Sequence, residues 1–245
     1  MRYALISDIH SNLNALQAVL KDIAARGGVD RFWCLGDIVG YGPDPRECIE
    51  LLRRHDHLCI AGNHDWVAIG KADLADFNPD AAIACLWTEQ QLRPEDVDYL
   101  AALPLTLNED DFTLVHGSPR QPMWEYLLST TSARANLEHF QTKVCLIGHS
   151  HRQLMFESSG DKGDCLLREL KLEIPLKLGE SRVIINPGSI GQPRDGDQRA
   201  SYAIYDSADN TICFYRVPYD IDATRQKIIE HGLPLRLATR LSYGW

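Results

Sequence analysis

The sequence predicts an α/β domain in which two β-sheets pack together with helices on their outer faces. The first sixty residues alternate short apolar runs with amphipathic helical patterns, and a βαβαβ alternation implies parallel strands with right-handed crossovers. After residue 165 the pattern changes to short strands with short connections, which predicts a second sheet with antiparallel pairing. The 245 residues contain no linker rich in proline, glycine or serine, so we expect a single domain over residues 1–245.

The first half of the chain contains three strand patterns and two amphipathic helices. Buried strands are expected at residues 3–7, 31–35 and 57–60. A helix over residues 14–26 places Leu16 and Ile23 on one face and ends at a glycine pair. A second helix begins after Asp44, with the Asp44 carboxylate as its cap and Pro45 in its first turn.

A helical insertion is expected at about residues 66–104, where cap residues precede Pro79 and Pro94. We expect this insertion to shape the pocket for the leaving group. The C-terminal segment, about residues 218–245, is expected to serve as a lid or as a subunit contact. Further strands are expected at residues 111–115, 144–147, 165–170, 183–185, 201–205 and 211–217, and further helices at residues 132–140 and 221–231.

The amino-acid composition excludes several classes of protein. With 25 basic and 34 acidic residues the net charge is −9, which argues against a non-specific nucleic-acid binder, since such a protein needs a basic surface. No apolar stretch approaches roughly 18 residues and no signal-peptide pattern opens the chain, so we expect no membrane span and a cytoplasmic location. Seven cysteines without Cys-x-x-Cys spacing predict neither a disulfide framework nor a thiolate zinc site.

Polar side chains of the types that bind metals recur directly after the apolar strands. Each of them alone also fits a turn or cap residue. However, loops at the carboxyl ends of parallel strands converge on one crevice, so five such loops together predict a common site. His149 and His151 would point the same way on an extended backbone. In chain order the residues are Asp8 and His10, Asp37, Asn63 with His64 and Asp65, His116, and His149 with His151.

Seven of these residues form a ligand set of two carboxylates, one amide and four imidazoles, which is enough for two divalent ions with Asp37 as the natural bridge. The set suits Mn²⁺, Zn²⁺, Fe or Ni²⁺, and it is richer in nitrogen than Mg²⁺ or Ca²⁺ prefers. Two ions about 3.5–4 Å apart can clamp the attacking and leaving oxygens of a phosphoryl displacement. The two ions and two carboxylates would together carry a positive charge that attracts anions.

Five sequence blocks occur in a fixed order along the chain: Asp8-Ile9-His10, Gly36-Asp37-Ile38-Val39-Gly40, Gly62-Asn63-His64-Asp65, Val115-His116-Gly117 and Gly148-His149-Ser150-His151. This ordered set resembles the calcineurin-like metallophosphoesterase superfamily. The turns at residues 40–45 and 186–196 are similar to those of its small bacterial and archaeal phosphoesterase branch. The resemblance covers about residues 1–206. Ser150 stands where many relatives carry a threonine, so a small hydroxyl is kept.

The resemblance implies a four-layer αββα sandwich of two mixed sheets flanked by helices. It also implies hydrolysis of phosphate esters by attack of a metal-bridging hydroxide. His64 would contact the phosphate and protonate or stabilise the leaving oxygen, and Asp65 would orient His64 through a hydrogen bond. The implied ligands are Asp8, His10 and His151 for one ion, Asn63, His116 and His149 for the other, and Asp37 for both.

Arg194 and Tyr41 each have two interpretations. Arg194 is a candidate phosphate contact, and the alternative is an ion pair with Asp195 or Asp197. Tyr41 either lines the pocket or packs on the prolines that follow it.

Other conspicuous side chains have structural interpretations. His55 and His57 lie at the amino end of a strand, away from the predicted site, and are expected on the surface. Trp87, Trp124 and Trp245 have no basic cluster beside them, so packing or an interface is favoured over base stacking.

The sequence therefore favours a hydrolase that acts on a phosphorylated small molecule. Phosphodiesters, phosphomonoesters and nucleotides all remain open as substrates, and the sequence gives no oligomeric state. The alternative is a non-catalytic metal-binding scaffold on the same fold, but such relatives typically lose ligands or the histidine that is kept here as His64. A metallo-β-lactamase-type site would need a His-x-His-x-Asp-His cluster, whereas this chain opens with Asp8-x-His10.

Overall fold

The computed structural model describes residues 1–159 and 164–245, without the side chain of Asp76, and in these residues it has two mixed β-sheets of six strands each. The strands are β1 (Arg2–Ile6), β2 (Arg31–Cys34), β3 (His57–Cys59), β4 (Thr106–Glu109), β5 (Phe112–Val115), β6 (Val144–Leu146), β7 (Gln153–Ser159), β8 (Asp164–Leu167), β9 (Leu176–Lys177), β10 (Val183–Pro187), β11 (Ala200–Asp206) and β12 (Thr211–Val217).

The first sheet has the order β3-β2-β1-β11-β12-β9. Its strands β1, β2 and β3 are parallel, as the βαβαβ pattern predicts. The prediction that the strands after residue 165 form a separate sheet is wrong, because β11 pairs antiparallel with β1, and Tyr3 lies opposite Tyr205. Local patterns indicate that a strand exists, but its partner is chosen by contacts far apart in the chain.

The second sheet has the order β4-β5-β6-β10-β7-β8, with β5, β6 and β10 parallel at its centre. Two of its strands were not predicted. In β4 the residues alternate between exposed and half-buried positions, so this edge strand lacks the apolar run that marks the others. β7 follows the His149–His151 block and pairs antiparallel with β10.

The helices are α1 (Leu13–Ala25), α2 (Pro45–Leu52), α3 (Asn63–Ala68), α4 (Pro79–Gln91), α5 (Pro94–Ala102), α6 (Thr130–Asn136), α7 (Ile221–Glu230) and α8 (Leu235–Leu241). Pro79 and Pro94 open α4 and α5 as predicted. Asp44 occupies the cap position of α2, but its predicted capping role is wrong, because its carboxylate accepts hydrogen bonds from Lys227 Nζ of α7 at 2.8 and 3.0 Å.

Alternation along the strands separates the side chains into two faces and produces four layers. Leu5 belongs to an apolar cluster between the sheets that also contains Phe112 of the second sheet. The next residue, Ile6, packs on the other face with Leu16 of α1. A third cluster joins the outer face of the second sheet to Ala133 of α6. The order is helix, sheet, sheet, helix, which confirms the αββα sandwich.

The C-terminal helices lie beside the ends of the strands. Thr224 of α7 donates a hydrogen bond to Asn12, the cap residue of α1, at 3.1 Å. Leu237 and Leu241 of α8 pack in one cluster with Tyr41 and with Ala81 of α4. Among the helices that the structure describes, none combines the length and apolar character needed to cross a membrane.

Candidate metal centre

The loops after β1, β2, β3, β5 and β6 bring the seven predicted ligand residues together. Two groups of buried side chains have ligand atoms that all lie within 4.8 Å of one another. The first group is Asp8, His10, Asp37 and His151, and the second is Asp37, His116 and His149. Asn63 reaches the second group, since its Oδ1 atom lies 3.1 Å from His116 Nε2.

The first group has the spacing of ligands that share an ion. The Nε2 atoms of His10 and His151 are 3.0 Å apart, and His151 Nε2 lies 3.3 Å from Asp8 Oδ1. Metal–nitrogen bonds of about 2.1 Å that meet at a right angle place two ligand atoms about 3 Å apart. Two imidazole lone pairs at this distance repel one another unless a proton or a cation lies between them.

Asp37 connects the two groups through a single oxygen. Its Oδ2 atom lies 3.5 Å from His10 Nε2 and 3.2 Å from His116 Nε2. Its Oδ1 atom accepts a hydrogen bond of 2.9 Å from the backbone amide of His64 and is thereby held in place. A Cβ atom at Gly62 would come within 2.1 Å of Asp37 Oδ1, so only glycine lets the two loops approach this closely.

Backbone carbonyls orient three of the imidazole rings. The Nδ1 atoms of His10, His116 and His151 lie 3.1, 2.7 and 2.6 Å from the carbonyl oxygens of Val39, Leu35 and Gln192. An Nδ1–H group that donates to a carbonyl leaves the Nε2 lone pair free for a metal. His149 is held the other way round, because its Nε2 atom lies 3.3 Å from the Trp124 carbonyl. The Nδ1 atom of His149 therefore keeps the lone pair that could bind a metal.

The electrostatics of the cluster favour bound cations. Burial lowers the pKa of His149 to about 3 and holds the pKa values of His10 and His151 well below their usual range, so these rings keep their lone pairs at neutral pH. Within the described residues, Asp8 Oδ2 and Asp37 Oδ2 are buried without a hydrogen-bond partner. Buried carboxylate oxygens without partners are costly, and divalent ions would satisfy them. The donor set therefore fits the metals that the sequence suggested.

Several of the predicted ligand residues adopt a strained backbone. Asp8, His10, Asp37, His149 and His151 have φ values between 49° and 62°, and they are five of the ten described non-glycine residues with positive φ. Such conformations cost of order 1 kcal/mol or more each and persist where function requires them. The expectation that an extended backbone aligns His149 with His151 is wrong, since both residues are left-handed.

Asp65 does not have the role predicted for it. Its two oxygens accept hydrogen bonds of 2.8–3.1 Å from the backbone amides of Asp37, Ile38, Val39 and Gly62. These bonds hold the loop after β2 against the start of α3. Asp65 therefore positions the loop that carries Asp37, whereas the prediction placed its hydrogen bond on the His64 ring.

The His64 ring is held by a residue that the sequence analysis missed. His64 Nδ1 lies 3.3 Å from the Sγ atom of Cys85 in α4, and burial raises the pKa of the Cys85 thiol. A protonated thiol donates its hydrogen to Nδ1, which leaves Nε2–H as the donor toward the pocket. Gly40 makes room for the ring, since a Cβ atom there would lie 2.4 Å from His64 Nδ1. In sequence Cys85 looks like one of the small buried residues of an amphipathic helix.

Replacing Cys85 with alanine is expected to lower kcat about 10-fold while the metal content stays unchanged, because His64 loses the partner that fixes its tautomer. The serine variant keeps a hydroxyl donor and is expected to recover most of the lost rate. Steady-state kinetics of both variants, together with metal analysis, check this. Equal kcat values for the alanine variant and the wild type would remove Cys85 from this role.

A pocket with a volume of about 370 Å³ opens on the cluster. Asn63, His64 and His149 line it on the side of the cluster. The aromatic rings of Tyr41, Phe77, Trp124 and Tyr126 also line it. Phe77, Asn78 and Ala81 come from the helical insertion, which therefore forms part of the pocket lining. That this pocket takes the leaving group stays a prediction. Trp124 packs edge-on against Phe77, with ring centres 5.8 Å apart, and also lines the pocket. The pocket alternative for Tyr41 is supported.

Arg194 is free to face the site. The alternative ion pairs are excluded, because Asp195 pairs with Arg216 and Asp197 pairs with Arg199. The Arg194 guanidinium donates to Gln192 Oε1 at 2.8 Å and lies 5.6 Å from the centre of the Tyr41 ring. Its charge thus lies on the side of the pocket that Tyr41 forms.

The remaining histidines and tryptophans lie apart from the cluster. His55 and His57 were both expected on the surface, and both are half-buried. The His55 ring lies 5.0 Å from the Phe32 ring, and His57 Nε2 lies 2.8 Å from the Tyr99 hydroxyl. Trp87 packs against His231, with ring centres 5.1 Å apart.

A family model described as the calcineurin-like phosphoesterase superfamily domain matches residues 1–210. The chain belongs to this superfamily. It is accordingly a hydrolase of phosphoester bonds from a metal-dependent family, and its buried aspartate and histidine groups are of the kind that could bind metals.

Relatives of this phosphoesterase cover it to different extents. It is 45% identical to a metallophosphoesterase from Sphaerobacter thermophilus whose crystal structure superimposes with a TM-score of 0.90, covering 100% of this chain and 99% of that one. An uncharacterized protein of Methanocaldococcus jannaschii is 42% identical over 98% of this chain and 97% of its own length. A symmetrical bis(5'-nucleosyl)-tetraphosphatase of Neisseria meningitidis is 31% identical, but the match spans only 51% of this chain and 45% of that protein.

Proposed function

We propose that this chain is a dinuclear metal-dependent phosphoesterase. The observation that carries the proposal is the Asp37 Oδ2 atom, which lies within 3.5 Å of one histidine from each of two donor groups. Asp8, His10 and His151 would hold one ion with Asp37, and Asn63, His116 and His149 would hold the other. The mixed nitrogen and oxygen donors favour Mn²⁺, Zn²⁺, Fe or Ni²⁺.

Different residues of the chain donate the proton, bind the phosphate and hold these groups in position. When bound, the two ions would lower the pKa of water and neutralise charge on the phosphoryl group. His64 presents Nε2–H to the pocket and donates it to the leaving oxygen. Arg194 binds a non-bridging phosphate oxygen. Asp65 holds the loop that carries Asp37, and Cys85 holds the His64 ring, in the positions that these roles require.

The proposed substrates are phosphate esters with an aromatic or nucleoside group, cleaved as diesters or monoesters. Support comes from the rings of Tyr41, Phe77, Trp124 and Tyr126, which can stack with a planar group beside the cluster. The names of the tetraphosphatase relatives point to nucleotides as well. The seven free cysteines support the proposed cytoplasmic location, because the cytosol keeps thiols reduced.

Hydrolysis of bis-p-nitrophenyl phosphate tests the proposal. We expect turnover with Mn²⁺ that EDTA abolishes and that excess Mn²⁺ restores. A panel of phosphomonoesters, cyclic nucleotides and dinucleoside polyphosphates, each with several metals, then identifies the preferred ester. An absence of activity with every metal and ester, in protein that binds metal, would contradict the proposal and favour the scaffold alternative.

A further inference from the structure

A second cavity, of about 390 Å³, lies next to the aromatic pocket. Asn78, at the cap of α4, lines both cavities. The rest of the second cavity is lined by Pro79 and Asp80 at the start of α4, by α8 and by the residues that follow α8. The residues from the C-terminal part are Arg236, Leu237, Arg240 and Trp245.

Neither arginine of this cavity forms an ion pair with an aspartate or a glutamate in the part of the chain that the structure describes. Arg240 donates one hydrogen bond to a main-chain oxygen of Trp245. The neighbouring arginines Arg199 and Arg216, in contrast, are paired with aspartates. Most donor groups of the two arginines are therefore available to a ligand.

The two guanidinium groups belong to a larger positive cluster. Burial and the nearby charge of Arg194 lower the pKa of Arg240 to about 10, and Arg236 contributes in the same direction. The charges of Arg194 and Arg240 both act to lower the pKa of the Tyr41 hydroxyl, so both guanidinium groups lie near it. Asp80 is the carboxylate in the lining, and its effect on Arg240 is weaker than that of Arg194.

Such a cluster is unusual in a chain whose net charge is −9. Like charges that are partly desolvated repel one another, and the cost is removed when an anion binds between them. Guanidinium groups are well suited to phosphate because their donors match two of its oxygens at once. The second cavity shares Asn78 with the aromatic pocket, and His64 and His149 line that pocket where the proposed function puts the reacting phosphate.

We propose that Arg236 and Arg240 form a second anion subsite that binds another phosphate group of the same substrate, so that the preferred substrates carry at least two phosphate groups. The inference rests on the proposed phosphoesterase function, because the first phosphate is the one held at the metal centre. The second phosphate can belong to a contiguous polyphosphate chain or to a different hydroxyl of the same nucleoside. Both arrangements present the same chemistry to the two guanidinium groups.

Competition against bis-p-nitrophenyl phosphate hydrolysis, with Mn²⁺ in excess over nucleotide, tests the subsite. Inhibition constants are measured for AMP, ADP and adenosine 3',5'-bisphosphate with the wild type and with R236Q, R240Q and the double variant. For the wild type we expect ADP, the bisphosphate or both to bind about 10-fold more tightly than AMP. The compound that shows the gain identifies how the second phosphate is attached.

In the double variant, ADP and the bisphosphate are expected to bind no more tightly than AMP binds to the same variant. The matched control is R225Q, which removes the same charge from an arginine of α7 that is paired with Asp222. Arg236 is exposed, so the R236Q variant is expected to fold even if R240Q does not. In R236Q alone, the difference in binding between the two-phosphate compounds and AMP is expected to become smaller without disappearing.

Three outcomes would be informative in different ways. If the wild type shows no metal-dependent hydrolysis of bis-p-nitrophenyl phosphate, the phosphoesterase proposal fails and the subsite with it. If hydrolysis is normal but AMP, ADP and the bisphosphate bind equally to the wild type, the subsite alone is refuted. The same holds if R225Q loses the gain as fully as the double variant does, because the arginines would then act only through total charge.

Discussion

Asp37→Asn is expected to lower the affinity of both metal ions by at least about 100-fold and to abolish most of the turnover, because one residue serves both donor groups. The Asp37 Oδ2 atom faces His10 and His116 and has no hydrogen-bond partner among the described residues. An amide removes the negative charge that would hold the two proposed cations together. Metal analysis after gel filtration in Mn²⁺-free buffer, combined with hydrolysis of bis-p-nitrophenyl phosphate, measures both effects.

Asp98→Asn is the matched control for this change. Asp98 is exposed on α5, so the same chemical replacement is expected to leave metal content and turnover as in the wild type. If the Asp37 variant retained both ions with unchanged affinity, Asp37 would not be the residue that the two sites share.

His64→Ala is expected to keep both ions and to lower kcat by about 10²–10⁴-fold, because the change removes a proton donor from the reaction but no predicted ligand. Burial lowers the pKa of His64 to about 4, so the free enzyme has a neutral imidazole whose Nε2–H faces the pocket. The loss is expected to be smaller for p-nitrophenyl esters than for alkyl esters, since p-nitrophenolate needs less help from an acid in order to leave.

The control for His64 is His139→Ala, which removes an exposed imidazole without touching the cluster. Kinetics on an aryl and an alkyl ester, with metal analysis of each variant, separate a chemical role from a structural one. Unchanged turnover of the alkyl ester by the His64 variant would exclude this residue from proton transfer. Loss of metal would instead show that His64 supports the ligands.

The convergence of the seven predicted ligand residues could be predicted because it follows from strand direction. Asp8, Asp37 and Asn63 each come at the carboxyl end of a parallel strand, and such ends meet at one edge of the sheet. His116 and His149 follow strands of the second sheet, and the packing of the two sheets brings this edge to the first. The ligand types and their order were enough for this part of the site.

The supporting contacts could not be predicted, because they depend on how separate segments pack. Asp65 follows His64 directly, and adjacency suggested a hydrogen bond between them, yet its carboxylate caps the backbone of a loop 27 residues earlier. Cys85 lies 21 residues from His64 and meets it only because α4 folds back over the pocket. Local sequence carries no signal for such contacts.

The assignment of strands to sheets failed for the same reason. β11 has an apolar pattern that suits either sheet, and its position beside β1 is decided by pairing across about two hundred residues. The sequence also gave no sign that Arg194, Arg236 and Arg240 form a group, because Arg194 is distant in sequence from the other two. Their common location appears only when α8 packs against Tyr41.

Anomalous diffraction from crystals grown with Mn²⁺ shows whether two ions share Asp37. We expect two peaks per chain, about 3.5–4 Å apart, with Asp37 in contact with both. One peak should lie among Asp8, His10 and His151, and the other among Asn63, His116 and His149. A single peak, or two peaks of which only one touches Asp37, would show that Asp37 does not bridge two ions.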